Sequence, residues 1–380
     1  MNNFQNIAPA RLEDWLRDYY FTTKIDLGSS GVQNFSFAEL RELTGLGQEE
    51  LDAVVFDDGR SLGTFGLRQA IADRWGDGDM GRVMVTHGSS EAILLVMQAL
   101  LGAGDEVVVL DPGYYALTNI AESIGCVMKV WPLHFEAGFV PDLDELKGML
   151  GPRTRMVVVN FPHNPTGASL TPEQQKGLIA AVEEVGAYLV WDRAFAELTY
   201  EGEPLPEPAL LYERAISLGT LSKAYGLAGL RIGWCMAAPE VLARCVHLRD
   251  YTTVFLSPFV EGIAQRAVEH ADLLVGKRLA QARANLRELT GWAARHEDLI
   301  DFIPPRGGVT VFPRFRKLDE VETLCEELGK EGILLVPGSC FGHPRHARLG
   351  FGGPSGPFRE GLGRLSRCLN GLLASPPTRI

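Results

Sequence analysis

Short apolar runs alternate with longer mixed segments over most of the chain. The runs have the length and the β-branched content of buried strands, and they occupy residues 83–86, 106–110, 127–130, 156–160, 188–192 and 215–218. The segments between them have the periodicity or the boundary signals of helices, and they occupy residues 67–75, 88–101, 114–123, 142–150 and 172–185. Strands that alternate with helices predict an α/β fold with a mostly parallel sheet covered on both faces. Ligands of such sheets bind at the carboxyl ends of the strands.

A different pattern follows this alternation. Residues 258–295 predict one long helical stretch that links two domains, and residues 308–315, 333–336 and 347–351 predict strands of a smaller α+β unit. We therefore expect three regions. They are an N-terminal arm that joins the small domain (residues 1–50), a large domain (residues 51–290) and a small C-terminal domain (residues 291–380).

Composition narrows the class of protein. The 380 residues are 46% hydrophobic and 22% charged, as in ordinary globular proteins with a real core. The formal net charge of −12 argues against a general positive field for nucleic acid, and the apolar runs are too short to cross a bilayer. The polar, acidic first 20 residues lack the pattern of a signal peptide, so we expect a cytoplasmic protein.

Cysteine and histidine spacing gives no sign of a metal site. The six cysteines include no C-x-x-C pair, and the eight histidines show no metal-ligand spacing. We therefore expect reduced thiols and no bound metal.

Lys223 is the most informative single residue. It lies among small and hydroxyl residues just after the apolar run 215–218. Partial desolvation would lower the pKa of its amine, and such a lysine adds to aldehydes as a Schiff base. Thr220, Ser222 and Arg231 supply donors for a phosphate dianion. A lysine beside a phosphate site indicates pyridoxal phosphate, whereas the alternative is an ordinary surface turn.

A second phosphate-binding element precedes the helix at residues 88–101. The strand at residues 83–86 runs through Gly88, Ser89 and Ser90 into this helix, whose first N–H groups are free to bind an anion. The alternative for either serine is a plain helix cap. The glycine pattern at residues 76–81 resembles a dinucleotide fingerprint, but it precedes a strand instead of following one and predicts a turn.

Three further candidates follow strand ends. Tyr114 could lie flat on a pyridine ring, Asn164 could hydrogen-bond a phenolic oxygen, and Asp192 could hold a pyridine nitrogen protonated. A core tyrosine is the alternative for Tyr114, and a plain Pro-Gly turn is the alternative for Asn164. A buried Asp192 without a partner would be costly. Arg348, in the strand at residues 347–351, is suited to a bidentate grip on a carboxylate unless it is a surface residue.

The order of these motifs resembles the class I and II aminotransferases, which are fold-type I pyridoxal-phosphate enzymes. The resemblance implies that Lys223 carries the cofactor and then acts as general base at the substrate Cα. It implies that Tyr114 stacks on the ring, that Asn164 and Asp192 bind its polar edges, and that Arg348 binds the substrate α-carboxylate. The implied phosphate ligands are Gly88, Ser89, Ser90, Thr220, Ser222 and Arg231.

The resemblance also implies the partners of the protein. The substrate is a small molecule, an amino acid, and the loop that contains Ser30 and Gly31 lines the substrate side of the pocket. The protein is expected to be a homodimer. Two positions depart from the family pattern. Phe195 stands where a tyrosine usually donates to the phenolic oxygen. Residues 56–59 lack the tyrosine with which the neighbouring subunit usually touches the phosphate.

Several runs resemble one group within this family, the capreomycidine synthases, which are cyclases of antibiotic pathways. The runs are residues 12–17, 29–32, 160–165, 219–226 and 305–310. This resemblance implies a cyclising dehydration of 3-hydroxy-L-arginine, in which the 3-hydroxyl leaves as water and the guanidine adds at Cβ. The groups that hold the guanidine are not evident from the pattern, and we expect them among residues 29–35.

Other functions remain as alternatives. The first is an aminotransferase that uses 2-oxoglutarate, and another is a pyridoxal-phosphate enzyme that oxidises or hydroxylates arginine. A non-catalytic module that binds pyridoxal phosphate is a third. The segment at residues 338–342 fits the G-x-C-x-G form of a hydrolase nucleophile elbow, but a proline and a strand follow it instead of a helix.

Overall fold

The computed structural model describes residues 7–374. Residues 1–6 of the expected N-terminal arm and residues 375–380 of the expected C-terminal domain lie outside the described part. Within residues 7–374, no helix combines the length and the apolar character needed to cross a bilayer.

Fourteen α-helices are present in the described chain. They are α1 (Arg11–Tyr19), α2 (Phe37–Thr44), α3 (Gln48–Asp52), α4 (Phe65–Trp75), α5 (Gly88–Leu100), α6 (Asn119–Ile124), α7 (Leu143–Met149), α8 (Pro172–Glu184), α9 (Pro208–Leu211), α10 (Pro239–Arg249), α11 (Pro258–Glu269), α12 (Ala271–Ala294), α13 (Glu322–Lys330) and α14 (Ser355–Ala374). Local signals define their ends. In α8, for example, Thr171 and Gln174 form a capping box and Pro172 occupies the first turn.

The strands of the described chain form one large sheet and three small ones. They are β1 (Ile25–Asp26), β2 (Val83–Thr86), β3 (Glu106–Asp111), β4 (Val127–Pro132), β5 (Thr154–Asn160), β6 (Tyr188–Asp192), β7 (Ala215–Thr220), β8 (Gly233–Met236), β9 (Ile300–Asp301), β10 (Thr310–Val311), β11 (Arg314–Phe315), β12 (Ile333–Leu334), β13 (Val336–Pro337) and β14 (Ala347–Gly350). The large sheet has the order β2-β8-β7-β6-β5-β3-β4. Its pairings are parallel except for those of β8, which is antiparallel to both neighbours.

Both faces of the large sheet are buried. Along β3, Val107 and Val109 pack into the core on one face, while Val108 and Leu110 pack into the core on the other. Helix α5 packs against the first face and α8 against the second. The predicted fold class, a mostly parallel α/β sheet with a smaller α+β part, is therefore confirmed, whereas the predicted domain boundaries stay a prediction.

The small sheets join distant parts of the chain. β1 pairs in parallel with β12, so that Ile25 lies opposite Ile333. β14 lies between β10 and β13, and β9 pairs with β11. The segment that follows β1, which contains Ser30, is thereby held against the C-terminal part of the chain.

Two predicted helices are interrupted. Residues 114–123 form a 3₁₀ turn at Tyr115–Leu117 and then α6, because the backbone of Thr118 leaves the helical region at φ −122°. Residues 258–295 form α11 and α12 instead of one helix. His270 breaks the ladder at φ −115°, and its ring Nδ1 lies 3.0 Å from the carbonyl oxygen of Arg266.

Two predicted strands are also divided. Residues 308–315 form β10 and β11, which belong to different sheets because Pro313 has no N–H with which to continue a ladder. Residues 333–336 change partners at Leu335, so that β12 pairs with β1 and β13 pairs with β14. The turn predicted at residues 76–81 is confirmed as turn and 3₁₀ structure.

Candidate active site

A cavity of about 330 Å³ lies at the carboxyl ends of β5, β6 and β7. Most of the predicted site residues line it, namely Ser30, Ser89, Ser90, Tyr114, Asn164, Asp192, Thr220, Ser222, Lys223, Arg231 and Arg348. A second cavity of about 560 Å³ adjoins it and shares Lys223 and Arg348 as lining residues. Gly31 lines this second cavity. Gly88 is not a lining residue of either cavity but lies against the guanidinium of Arg231. The structure therefore brings the predicted residues together.

Lys223 follows the end of β7, and its amine faces the cavity. Its Nζ donates a hydrogen bond to Oγ of Ser30 across 3.0 Å. Burial, together with the nearby charge of Arg348, lowers the pKa of Lys223 to about 8. A larger fraction of this amine is therefore neutral at physiological pH than for a solvated lysine, which favours attack on an aldehyde and proton abstraction.

Asp192 is the last residue of β6 and is buried. Its Oδ1 accepts a hydrogen bond from the Ala194 N–H across 2.9 Å. Burial raises the pKa of Asp192 to about 6, although this hydrogen bond and the charge of Lys223 act in the opposite direction. A buried carboxylate of this kind is stabilised by a cationic N–H partner, as a protonated pyridine nitrogen would be.

Asn160 is a site residue that the sequence pattern did not reveal. It pairs in register with Asp192, and its Nδ2 donates to the Asp192 carbonyl oxygen across 2.9 Å. Its Oδ1 accepts from the N–H of Asn164 across 2.9 Å. Asn160 thus fixes the backbone of two predicted cofactor ligands. The available signal was its position as the polar last residue of an apolar strand.

Arg348 projects from β14 and is only 1% exposed, so it is not a surface arginine. Its Nε donates to the Gly28 carbonyl across 3.0 Å, and its Nη1 donates to Oδ1 of Asn164 across 3.3 Å. Burial lowers the pKa of Arg348 to about 10, so it remains cationic at neutral pH. A guanidinium has five N–H donors, so donors remain for a carboxylate in the cavity.

Hydroxyls, a guanidinium and a helix N-terminus meet at one corner of the cavity. Oγ of Ser222 lies 3.0 Å from Oγ1 of Thr220 and 3.2 Å from Nη1 of Arg231. Ser89 and Ser90 occupy the first turn of α5. Gly88 has φ +71°, and a Cβ there would lie 2.6 Å from Nη2 of Arg231. This donor set fits a phosphate dianion.

Tyr114 lies beside the cavity and begins a chain of hydroxyl contacts. Its hydroxyl donates to that of Tyr115 across 3.3 Å, and the Tyr115 hydroxyl donates to Oε1 of Glu13 across 3.1 Å. Burial raises the pKa of both tyrosines. Neither Tyr115 nor Glu13 was predicted from the sequence, because α1 comes next to the sheet only through tertiary packing.

The two departures from the family pattern lie in different places. Phe195 is buried and lines the cavity, so this wall lacks the hydroxyl of a tyrosine. Phe56, by contrast, is 80% exposed.

The whole cavity fits pyridoxal phosphate, because a lysine of lowered pKa, a buried carboxylate, an amide and a phosphate-binding corner surround it.

The hydrolase alternative has no support from the structure. Gly338–Phe341 form a 3₁₀ turn instead of the start of a helix. Sγ of Cys340 lies 3.7 Å from the carbonyl oxygen of Arg11, and burial raises the thiol pKa to about 11. This cysteine is therefore a poor nucleophile at neutral pH.

Comparison with known proteins gives consistent results. The family model for aminotransferase class I and II matches residues 37–365. A capreomycidine synthase from Streptomyces vinaceus is 49% identical over 365 residues, which are 95% of this chain and 94% of that protein. The arginine–pyruvate transaminase AruH from Pseudomonas aeruginosa is 30% identical over 321 residues, which are 81% of each chain.

Solved structures are also similar. The PLP-dependent cyclase OrfR superposes with a TM-score of 0.92 at 48% identity, over 96% of this chain and 98% of that one. A PLP-dependent aminotransferase from Streptococcus suis superposes with a TM-score of 0.91 at 28% identity, over 96% and 98% of the two chains.

Proposed function

We propose that this chain, which belongs to the aminotransferase class I and II family, converts 3-hydroxy-L-arginine to capreomycidine. The enzyme is of the pyridoxal-phosphate-dependent cyclase type, and its cofactor is pyridoxal 5′-phosphate. The observation that carries the choice of reaction is the similarity to a capreomycidine synthase along nearly the whole chain. A role in antibiotic biosynthesis, a cytoplasmic location and a homodimeric assembly belong to the same proposal.

The bound cofactor supplies an electron sink that acidifies the Cα–H bond of an amino acid. The remaining functions fall to residues of this chain. Asp192 holds a proton at the ring nitrogen, while Arg231 and Ser222 bind the phosphate. Arg348 binds the α-carboxylate and so places Cα near Lys223, with both side chains on the wall of one cavity.

Proton transfers centre on Lys223. Its Nζ takes the proton from Cα, and the same group then has a proton to give to the departing 3-hydroxyl, which leaves as water. A guanidine nitrogen then forms a bond to Cβ and loses a proton, and a proton returns to Cα. The net change is loss of one water and closure of a six-membered ring, so no oxidant or keto acid is consumed. Ser30 orients the Nζ through its 3.0 Å hydrogen bond.

An aminotransferase that uses 2-oxoglutarate is the second candidate. The similarity to an arginine–pyruvate transaminase favours transamination, since that protein is named for an arginine substrate, although its named acceptor is pyruvate. Phe195 counts against it, because the family's usual tyrosine donor is missing from the cavity wall.

The deciding experiment is incubation of the purified holoenzyme with 3-hydroxy-L-arginine alone, followed by product mass and NMR. A product lighter by one water, with a new bond from nitrogen to Cβ, is expected. Lys223→Ala serves as the inactive control. If nothing forms until 2-oxoglutarate is added, and glutamate then accumulates, the cyclase proposal is wrong and the transaminase is correct.

A further inference from the structure

A substrate with a guanidinium group brings a positive charge into a cavity that already contains several. Lys223, Arg231 and Arg348 line both connected cavities. The phosphate and the α-carboxylate would account for two of these cations, but the guanidinium of the substrate needs an anion of its own. A buried cation without a partner is costly.

We propose that Glu13 binds the guanidinium of the substrate. This inference rests on the proposed function, because it identifies the group that recognises the side chain of the same substrate. Glu13 lies on α1 and lines both cavities, as do Lys223 and Arg348. It therefore lies where the two cavities meet.

The other carboxylates around the cavities have different partners. Among the described residues that line them, the acidic ones are Glu13, Asp26 and Asp192. Oδ1 of Asp26 accepts the N–H groups of Gly28 and Ser29 at 2.9 and 2.8 Å. Asp192 lies at the end of β6, where it would hold the ring nitrogen of the cofactor. Glu13 is thus the carboxylate best placed for a cationic side chain.

Glu13 is held in a fixed orientation. The Tyr115 hydroxyl donates to its Oε1, and an ionised carboxylate has further acceptor sites for two N–H groups of a guanidinium. Its helix is anchored by the buried Leu12 and by the indole of Trp15, which donates to the Leu335 carbonyl across 2.9 Å. Such preorganisation lowers the entropic cost of binding a flexible ligand.

The loop at residues 29–35, where we expected these contacts, offers only neutral acceptors, and several are already bonded. Oγ of Ser30 accepts from Lys223, and Oε1 of Gln33 accepts from Gln281 across 3.0 Å. Oδ1 of Asn34 accepts from the Ala228 N–H across 3.4 Å. Glu13 therefore replaces this loop in our assignment of the guanidinium site.

The test compares L-arginine with L-citrulline, which has nearly the same shape but no charge. Both are titrated into the holoenzyme, and binding is followed by the visible absorbance of the cofactor. We expect the wild type to bind arginine more tightly than citrulline by about 10- to 100-fold. Glu13→Gln should reduce this ratio to near one, mainly through weaker binding of arginine.

Asp18→Asn is the matched control, since Asp18 is an exposed carboxylate on the same helix and lines neither cavity. It should leave the ratio unchanged. If the wild type prefers arginine and Glu13→Gln retains the full preference, the assignment of Glu13 is wrong while the proposed function stands. If the wild type itself shows no preference for arginine, the proposed substrate is wrong.

Discussion

Lys223 and Ser30 are 193 residues apart in sequence, yet Nζ of the lysine lies 3.0 Å from Oγ of the serine. A second bond supports this contact, since the Val32 N–H donates to the Lys223 carbonyl across 3.2 Å. The loop that contains Ser30 is also packed closely against β14, where a Cβ on Gly350 would lie 1.9 Å from the Ser29 carbonyl oxygen. The orientation of the lysine is thus set by a segment outside the large sheet.

Ser30→Ala should weaken catalysis without abolishing it. Loss of the acceptor removes a bond that favours the charged amine, so the pKa of Lys223 should fall further, and the rate should fall about 10-fold because the amine is less well oriented. The check is a pH–rate profile, in which the limb assigned to the lysine should move to lower pH. Ser29→Ala, at the neighbouring hydroxyl, should leave that limb in place. An unchanged profile for Ser30→Ala would show that the contact is not functional.

Asp192→Asn should stabilise the apoprotein at pH 7 and at the same time lower the activity of the holoenzyme. In the wild-type apoprotein the pKa of Asp192 is about 6 instead of 3.8, so its contribution to stability is present below pH 4 and is lost as pH rises towards 6. At pH 7 this difference amounts to about 3 kcal/mol. The apo variant should therefore unfold at a higher temperature than wild type at pH 7, with a flatter pH dependence between pH 4 and 6.

The same variant should lose activity by about 100-fold or more, because a neutral amide cannot hold the ring nitrogen protonated. Thermal unfolding of the two apoproteins across pH and steady-state rates of the two holoproteins are the measurements. Asp14→Asn, an exposed carboxylate, is the control for charge removal. Equal unfolding curves for wild type and Asp192→Asn would contradict the assigned pKa.

Arg348→Lys should raise KM for the amino acid by about 10- to 100-fold, since an ammonium cannot reproduce the planar bidentate grip on a carboxylate. The informative comparison is between arginine and agmatine, which lacks the carboxylate. Wild type should discriminate strongly between them, whereas the variant should bind both weakly. Retention of this discrimination would place the α-carboxylate elsewhere.

Gly88→Ala should weaken cofactor binding specifically. Its Cβ would lie 2.6 Å from Nη2 of Arg231, and φ +71° is strained for alanine. Displacement of the guanidinium should raise the dissociation constant of pyridoxal 5′-phosphate by about 10-fold or more. Equilibrium dialysis of apoprotein against the cofactor measures this value. Gly102→Ala, where the nearest atom to a new Cβ is 3.8 Å away, is the matched control.

Phe195→Tyr should restore a donor that the family usually has. Phe195 is buried on the cavity wall, so an added hydroxyl would enter the cofactor side of the cavity. A donor to the phenolic oxygen stabilises its anionic form, so the pH midpoint of the visible absorbance change should fall. An unchanged midpoint would mean that the new hydroxyl does not reach the cofactor.

The chain's chemistry was predictable where it depends on residue type at a strand end. Lys223 and Asp192 were located in this way, because the carboxyl ends of parallel strands converge whatever their order. Glu13 was not, because its role depends on the docking of α1 through Trp15 and Leu335, which are 320 residues apart. No local pattern contains that information.

Helices and strands also differ in whether local sequence or tertiary packing determines them. β8 was missed, since its four residues follow the lysine segment directly and lie antiparallel between β2 and β7. α14 was also missed, although its buried Phe358, Leu362, Leu365 and Leu369 have helical spacing that the sequence displays. The pairing of β8 depends on the topology of the sheet and is not visible in the local sequence. The helix α14 could have been predicted from its spacing.

The pairing of β1 with β12 has a consequence for how the protein is made. Ile25 leaves the ribosome early, but its partner Ile333 is synthesised only near the end of the chain. Until then the loop with Ser30 lacks its packing against Leu334 and Gly350, and Arg348 is missing from the cavity wall. A nascent chain that already contains the whole seven-stranded sheet is therefore still unable to assemble its catalytic centre, and maturation must wait for the last small strands to emerge.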